Sequence, residues 1–183
     1  MNPSELQPLA QNKTRVLLFG LPTTLSAIVF HILDFHSIPT DIITESHTLV
    51  RNSDFILLES DDISLGAALH PNIVFLGSHS VTEDYRSLIE NISQGGILIF
   101  PEFVEQADKA VLMTNNYFRR MPYQPAEYQT SGNHTDLTTP LGNIPVPFSA
   151  PEIFRDLEGA RLFAQQMGIM EDEFYEALMN FHY

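Results

Sequence analysis

Cysteine is absent from the chain, and basic residues are few. Without cysteine there can be no disulfide, no thiolate metal ligand and no cysteine nucleophile. Nine Lys and Arg against 23 Asp and Glu give a formal net charge of -14, and the one adjacent basic pair is Arg119-Arg120. Nucleic-acid backbones and anionic membranes require clustered basic residues. We therefore expect neither nucleic acid nor a membrane as the main partner.

Long hydrophobic runs are also lacking. No apolar stretch approaches the ~20 residues needed to cross a bilayer, and the first 14 residues lack the apolar core of a signal peptide. A soluble, cytoplasmic protein is expected. The 183 residues, 44% of them hydrophobic, fit one domain. We expect a flexible N-terminal arm at residues 1–14, where Pro3 and Pro8 interrupt any regular pattern, and a single domain at residues 15–183.

Short apolar runs alternate with segments of helical periodicity. The runs predict strands at Val16–Phe19, Asp41–Thr44, Asp54–Leu58, Asn72–Leu76, Ile97–Phe100 and Ala110–Met113. Helices are predicted from Thr23, up to about Leu69, and at Thr82–Ser93, Pro151–Met167 and Glu171–Phe181. This alternation predicts an α/β fold with three layers, in which a mostly parallel sheet has helices on both faces.

The segment from Asn115 to Phe148 has a different character. Leu137–Phe148 predicts a hairpin that turns at Gly142-Asn143, and its prolines confine the strands to an edge. Before the hairpin lies an apolar group: Tyr117, Phe118, Met121, Pro122, Tyr123, Pro125 and Tyr128. Two interpretations stay open, because such a group can form an exposed partner surface or fold back over a sheet edge.

Residues Arg15–Leu33 predict a strand, a turn at Gly20-Leu21-Pro22 and a helix that opens at Thr23-Thr24. In α/β proteins a phosphate is commonly held at such a point, where backbone N–H groups and the helix dipole converge. Thr23 and Thr24 can offer hydroxyl and N–H groups to a small anion. Alternatively, one of them simply caps the helix.

Three acidic residues follow the strand that ends near Leu58. Glu59 and Asp61 are candidate ligands of Mg²⁺, which takes carboxylate oxygens, and Asp62 could add to them. The alternative is that these acids stabilise the start of a short helix through its dipole. The seven histidines are scattered without the i, i+4 pairing of a helical zinc site, and His79 lies just beyond a strand end. No glycine elbow surrounds a serine, so a hydrolase triad has no support.

Three segments, in order, resemble the central ATP-binding domain of the Mur ligases, ATP-dependent amide-bond enzymes of peptidoglycan synthesis. They are VLLFGLPTTLSAIVFHIL, SDFILLESDDISLGAALHPNIVFLGSHSVTEDYRSLIENISQGGILIFPE and DLEGARLFAQQMGIMEDEFYEALMNF. The first is similar to the family's strand, G-T-x-G-K-T-T-T loop and helix. The second is similar to its glutamate-ended strand and Gly-Gly strand, and the third to its late helices. The similar branch is that of UDP-N-acetylmuramate–alanine ligase and its murein-peptide-recycling relative.

The resemblance implies a P-loop-like, Rossmann-like domain in which Gly20, Thr23 and Thr24 face a nucleotide and Glu59 helps to hold magnesium. The chain departs from the family's pattern at this loop. The second glycine and the lysine are missing, Pro22 removes an N–H, and no Lys lies between Lys13 and Lys109. The family's acidic-histidine pair is also absent from Leu76–Thr82.

The family's histidine-asparagine motif is likewise absent near Pro151–Phe154. The resemblance implies that a complete Mur ligase has a substrate-binding domain on each side of the central domain, and we expect neither in this chain. We therefore predict a degenerate, non-catalytic homologue that acts as a binding or interaction protein, with no catalytic residue and no cofactor. A protein partner, a second copy or a small anion at the helix start are its candidate partners. The alternative is an ATP- and Mg-dependent Mur-type amide ligase of peptidoglycan precursor synthesis or recycling, or a nucleotide-binding subunit completed by another chain. A small-ligand carrier that uses the Gly20 crevice is a third reading.

Overall fold

The structure is a computed structural model and describes residues 2–79, 85–132 and 134–182. Its elements, in chain order, are α1 (Pro3–Ala10), β1 (Thr14–Phe19), α2 (Thr23–Phe35), β2 (Asp41–Ile43), β3 (Thr48–Leu49), β4 (Phe55–Glu59), α3 (Ile63–Ala68), β5 (Ile73–Leu76), α4 (Tyr85–Glu90), β6 (Ile97–Pro101), α5 (Glu105–Met113), β7 (Arg119–Tyr123), β8 (Tyr128–Ser131), β9 (His134–Thr139), β10 (Gly142–Val146), α6 (Pro151–Gln166) and α7 (Glu171–Met179). The first residues of the helix expected from Thr82 lie outside the described ranges.

Seven strands form the main sheet in the order β3-β2-β4-β1-β5-β6-β7. All neighbours in it are parallel except β2 and β3. β1 lies at the centre, and the chain leaves it toward β2 on one side before returning to β5 on the other. This reversal creates a crevice outside the carboxyl ends of the central strands, where ligands of α/β proteins bind.

The apolar residues of β1 alternate between the two faces of the sheet. Val16 and Leu18 belong to a core with α2, α6 and α7, whereas Leu17 and Phe19 belong to a second core with α1, α3, α4 and α5. A strand buried on both faces needs an unbroken apolar run, which is what these residues supply. The expected three-layer α/β fold with a mostly parallel sheet is confirmed.

Residues 128–146 build a separate sheet of three antiparallel strands in the order β10-β9-β8. The predicted hairpin is present as β9 and β10. Its turn lies at Pro140-Leu141 instead of Gly142-Asn143, because Gly142 pairs with Thr139 and Asn143 with Thr138. The side chain of Tyr128 stacks on Phe154, which joins the small sheet to α6.

Two of the expected elements are wrong. Ala110–Met113 is the end of helix α5 and not a strand: Ala107 and Val111 are buried one turn apart, and Lys109 pairs with Glu105. The first residues also form a helix, α1, in place of an irregular arm. Its N-cap Asn2 and Glu5 bond each other's backbone N–H groups, and Leu6 is fully buried.

Part of the apolar group before the hairpin lies in β7, an edge strand that was not predicted. Phe118 and Tyr123 are buried, so this part of the group folds back onto the sheet, while Tyr117 is 79% exposed. Pro122 lies in this edge strand, where a missing N–H is tolerated. Among the described residues, no helix has the length and hydropathy of a membrane-spanning segment.

Candidate functional site

A cavity of about 280 Å³ opens at the carboxyl ends of β1, β2 and β4. It is lined by Gly20, Leu21, Thr23, Thr44, Glu45, Ser46, Glu59, Ser60 and Asp61. Four of the five residues singled out from the sequence, Gly20, Thr23, Glu59 and Asp61, thus lie together. Thr24 does not line the cavity and is half-buried on α2.

The turn after β1 is held by hydrogen bonds within the chain. Gly20 has a φ of 70°, and its N–H donates to Asp61 Oδ1 at 3.0 Å. Its carbonyl oxygen accepts from the N–H of His79 at 2.9 Å. In a phosphate-binding loop, backbone N–H groups at this position point at the ligand. Here a carboxylate oxygen of the protein already accepts from that N–H.

Side chains fill the turn that glycines would leave open. Leu21 is 8% exposed and belongs to the core beneath α2, and Pro22 is also buried. The loop after β5 packs directly against them, since a Cβ built at Gly77 would lie 2.4 Å from Gly20 O and 2.5 Å from Leu21 Cδ2. The backbone therefore does not arch around an anion-sized space at Leu21-Pro22.

The start of α2 has no side-chain cap. Its N-cap is Pro22, and neither Thr23 nor Thr24 takes that position, so the interpretation of a capping threonine is wrong. Thr23 is the first helical residue and is exposed toward the cavity. The N–H groups of the first turn receive no acceptor from an N-cap side chain, so the helix start remains able to face an anion.

The charges around the cavity oppose such an anion. Glu45, Glu59 and Asp61 contribute three carboxylates, and no Lys or Arg is among the lining residues. Lys13, the one lysine near β1 in sequence, forms an ion pair with Asp41. It precedes the first residue of β1, and at about 3.3 Å per residue the six-residue strand places it about 20 Å from Gly20.

Asp62 is the N-cap of α3. Its Oδ1 accepts from the N–H groups of Ser64 at 2.8 Å and Leu65 at 3.2 Å, at the start of α3. This matches the helix-start interpretation for one of the three acids. Within the described ranges, no group of three or more His, Asp or Glu side chains is arranged to hold a metal ion.

A buried carboxyl group that was not singled out from the sequence lies against the loop after β5. Asp156 on α6 is fully buried, and its oxygens accept from the Ser78 N–H at 3.0 and 3.1 Å and from the Tyr123 hydroxyl at 2.8 Å. Burial raises the pKa of Asp156, and burial together with the Asp156 carboxylate raises the pKa of Tyr123 well above its usual value. A signal existed, because Asp156 lies on the stripe of α6 that carries Ile153 and Ala160, three and four residues away.

The histidines do not assemble a site. His31 and His36 place their Nε2 atoms 3.0 and 2.9 Å from the carbonyl oxygens of Ala177 and Glu173 on α7. His79 is exposed and lines a separate cavity of about 220 Å³ between the loop after β5 and the start of α6.

Neither a protein-family model nor a curated protein matches the chain. Solved structures do. A MurF structure from Acinetobacter baumannii has a TM-score of 0.74 at 14% identity, over 99% of this chain and 49% of that one. The murein peptide ligase MPL from Neisseria meningitides has a TM-score of 0.71 at 11% identity, over 97% of this chain and 70% of that one. A second MurF structure from Acinetobacter baumannii gives 0.72 at 15% identity, over 98% and 48%.

The chain therefore spans about half the length of the MurF chains that it matches. At identities of 10–15% the likeness concerns the fold. The resemblance to the Mur ligases is confirmed at that level over nearly the whole chain, while the finer likeness to the UDP-N-acetylmuramate–alanine ligase branch stays a prediction. The chain has the fold of a Mur ligase-like α/β domain.

Proposed function

We propose that the chain is a degenerate, non-catalytic homologue of the Mur ligase central domain that acts as a binding or interaction protein. One observation carries the proposal: the Gly20 N–H bonds the Asp61 carboxylate, and Leu21 and Pro22 fill the turn. A triphosphate would have to displace a carboxylate that belongs to the protein. No catalytic residue and no cofactor are assigned.

The charge balance supports the same conclusion. Phosphoryl transfer depends on cations that neutralise the transferred group, and a missing cation can cost several powers of ten in rate. The cavity at Gly20 instead presents Glu45, Glu59 and Asp61. Two unit charges 4 Å apart interact by about 1 kcal/mol in water and about 4 kcal/mol near a protein surface, so each like-charged contact weakens phosphate binding.

Isothermal titration with MgATP tests the proposal. We expect no saturable binding at millimolar nucleotide, for the wild type and for Asp61→Asn alike, because the asparagine oxygen can still accept from Gly20. Asp54→Asn, an exposed change at the opposite edge of the sheet, is the matched control for loss of one carboxylate. Micromolar binding to the wild type, about -8 kcal/mol, that is lost in Glu59→Ala would contradict the degenerate assignment.

A second candidate, an ATP-dependent Mur-type ligase or a nucleotide-binding subunit completed by another chain, has one observation in its favour. Gly20, Thr23, Glu59 and Asp61 share one cavity, and carboxylate and hydroxyl oxygens are ligands that Mg²⁺ accepts. It predicts that Glu59→Ala abolishes Mg-dependent nucleotide binding while the exposed Glu176→Ala on α7 does not. Binding that is unchanged in Glu59→Ala rejects this candidate.

The interaction part of the proposal is supported by exposed apolar side chains between α5 and β7. Leu112, Met113 and Tyr117 are 67%, 71% and 79% exposed within six residues of sequence. Clusters of this kind mark partner surfaces. A second copy of the chain is the partner we test first, by comparing the light-scattering mass of the wild type with that of a triple serine variant. A cytoplasmic location belongs to the same proposal.

A further inference from the structure

A larger cavity lies at the amino ends of the strands, opposite the cavity at Gly20. Its volume is about 600 Å³, within the range of small-molecule sites. Helix α1 forms one wall, the end of α3 forms another, and the first residues of β1 lie between them. Because α1 was expected to be irregular, nothing in the sequence analysis pointed to this cavity.

Arg15 is the charged group of the cavity. Its Nε donates to Asn72 Oδ1 at 3.3 Å and its Nη2 to Ser93 Oγ at 3.1 Å, and both of these acceptors are neutral. Within the described residues, no carboxylate lies within ion-pair distance of the guanidinium, which is half-buried. A guanidinium has five N–H donors in a planar fork that fits a carboxylate or phosphate group. Donors therefore remain for a ligand.

The lining also distinguishes this cavity by its charge. Among the described residues, its lining contains no Asp or Glu, whereas the cavity at Gly20 has three acids and the cavity at His79 has Glu152 and Asp156 beside Arg155. In a chain of net charge -14, a cavity whose described lining has an arginine and no acid repels an anion less than the acidic cavity at Gly20 does.

The remaining walls combine apolar and neutral polar groups. Pro8 and Ala68 offer accessible hydrocarbon surface, and Gln7, Gln11 and His70 offer hydrogen-bonding groups. This is the usual composition of a ligand site, in which apolar walls bury the body of a molecule and a few polar groups orient it.

We propose that this cavity binds a small organic anion, whose carboxylate or phosphate group pairs with Arg15 and whose apolar part packs against Pro8 and Ala68. The site is separate from the cavity at Gly20, and it does not depend on whether that cavity binds a nucleotide. It gives the chain a ligand of defined chemistry: a monoanionic or dianionic head on a small apolar body.

The test uses phenyl phosphate, benzoate and inorganic phosphate as probes, titrated into the full chain by calorimetry. We expect phenyl phosphate or benzoate to bind, and inorganic phosphate to bind more weakly because it has no apolar part. The comparison of phenyl phosphate with benzoate identifies which head group is preferred. Gln7→Glu should weaken binding about tenfold or more, since it places a carboxylate beside the ligand's charge.

Two controls separate charge from structure. Gln7→Ala removes the same side chain without adding charge and should retain binding, and Gln106→Glu adds the same charge to α5, outside the cavity. Arg15→Gln should also lose binding, with thermal unfolding as the check that it folds. No binding at millimolar probe, or equal binding to the wild type and Gln7→Glu, overturns the proposal. Equal affinity for inorganic and phenyl phosphate overturns its organic part.

The same variants separate this site from the proposed function. ATP is itself an organic phosphate, so a titration with MgATP could report on either cavity. Binding that is lost in Gln7→Glu and kept in Glu59→Ala belongs to the Arg15 cavity and leaves the proposed function intact. The reverse pattern assigns binding to the cavity at Gly20 and contradicts the proposed function alone.

Discussion

Asp156 couples three elements through one buried carboxyl group. Its oxygens accept from the loop after β5 at Ser78 and from the hydroxyl of Tyr123 on β7, while its own backbone belongs to α6. The Tyr123 hydroxyl also lies 2.9 Å from the carbonyl oxygen of Leu76. If Asp156 is protonated, Tyr123 can donate to Leu76 and still accept from Asp156. The network therefore has a bonded arrangement in both charge states.

The pH dependence of stability should reveal this group. Burial raises the pKa of Asp156 in the folded protein, so the folded state binds the proton more tightly than the unfolded chain does. Its contribution to the free energy of unfolding is therefore fully present below the unfolded pKa, near 4, and is lost as the pH rises through the raised folded pKa. Relative to Asp156→Asn, the wild type should gain stability as the pH falls from about 8 toward about 4.

Urea unfolding of both proteins across that pH range measures the difference, with Asp54→Asn as the control for an exposed aspartate. Asp156→Ala gives the magnitude of the network: it leaves the Ser78 N–H without its acceptor and should cost about 2 kcal/mol. If the wild type instead gains stability relative to Asp156→Asn as the pH rises, the fold stabilises the carboxylate, contrary to our assignment.

At the scale of elements, Gly159 lets α6 pack closely against the sheet. A Cβ at Gly159 would lie 2.4 Å from Phe75 Cε2 and 2.7 Å from Tyr123 Cε1, both atoms of buried rings. Gly66 of α3 is the matched helical glycine, whose Cβ would meet only the side-chain ends of Leu17 at 3.0 Å and Leu88 at 3.3 Å. Packed rings yield less readily than the ends of leucine side chains.

We expect Gly159→Ala to destabilise the protein by about 1–2 kcal/mol, because overpacking outweighs the helix propensity gained from alanine. Gly66→Ala should be neutral within about 1 kcal/mol, since the same propensity gain offsets a smaller clash. Thermal and urea unfolding of the two variants give the comparison. Equal effects would show that close packing of α6 on the sheet is not what the glycine provides.

The elements that the sequence predicted are those with a local signal. Unbroken apolar runs identified β1, β4, β5 and β6, and helical periodicity identified α2, α6 and α7. β7 was missed because Arg119 and Arg120 are exposed and Pro122 is unusual in a strand, so its pairing with β6 depends on tertiary contacts. α5 was taken for a strand because only its last four residues, Ala110–Met113, form an apolar run. α1 depends on a capping box that the prolines concealed.

For the candidate site, too, only the features with a local signal could be predicted from the sequence. Strand ends can be located from the sequence, and the residues chosen near two of them, Gly20, Thr23, Glu59 and Asp61, line one cavity in the structure. The contact between the Gly20 N–H and Asp61 spans 41 residues, and that between Ser78 and Asp156 spans 78. No local pattern reports a contact over such separations. The closure of the turn and the buried carboxyl group were thus visible only in the structure.

At the scale of the whole molecule, the two cavities at opposite ends of the strands differ in the charge of their linings. The carboxyl edge has Glu45, Glu59 and Asp61 around its cavity, and the amino edge has Arg15 without an acidic neighbour in its lining. Five of the nine basic residues form ion pairs within the described ranges, with six acidic residues. Most of the acidic residues in those ranges have no basic partner among these pairs, and their repulsion opposes the compact state.

Salt should relieve that repulsion. Raising NaCl from about 0.02 M to about 0.3 M shortens the screening length from about 20 Å to about 6 Å. We therefore expect a higher melting temperature at the higher salt, by about 2–4 °C for each 1 kcal/mol added to the free energy of unfolding.

MgCl₂ at matched ionic strength separates general screening from a cation site. If the cavity at Gly20 holds no metal, the two salts should give equal shifts, for the wild type and for Glu59→Gln. A larger shift with MgCl₂ that Glu59→Gln removes would show a magnesium site there, and would favour the ligase alternative over a non-catalytic chain.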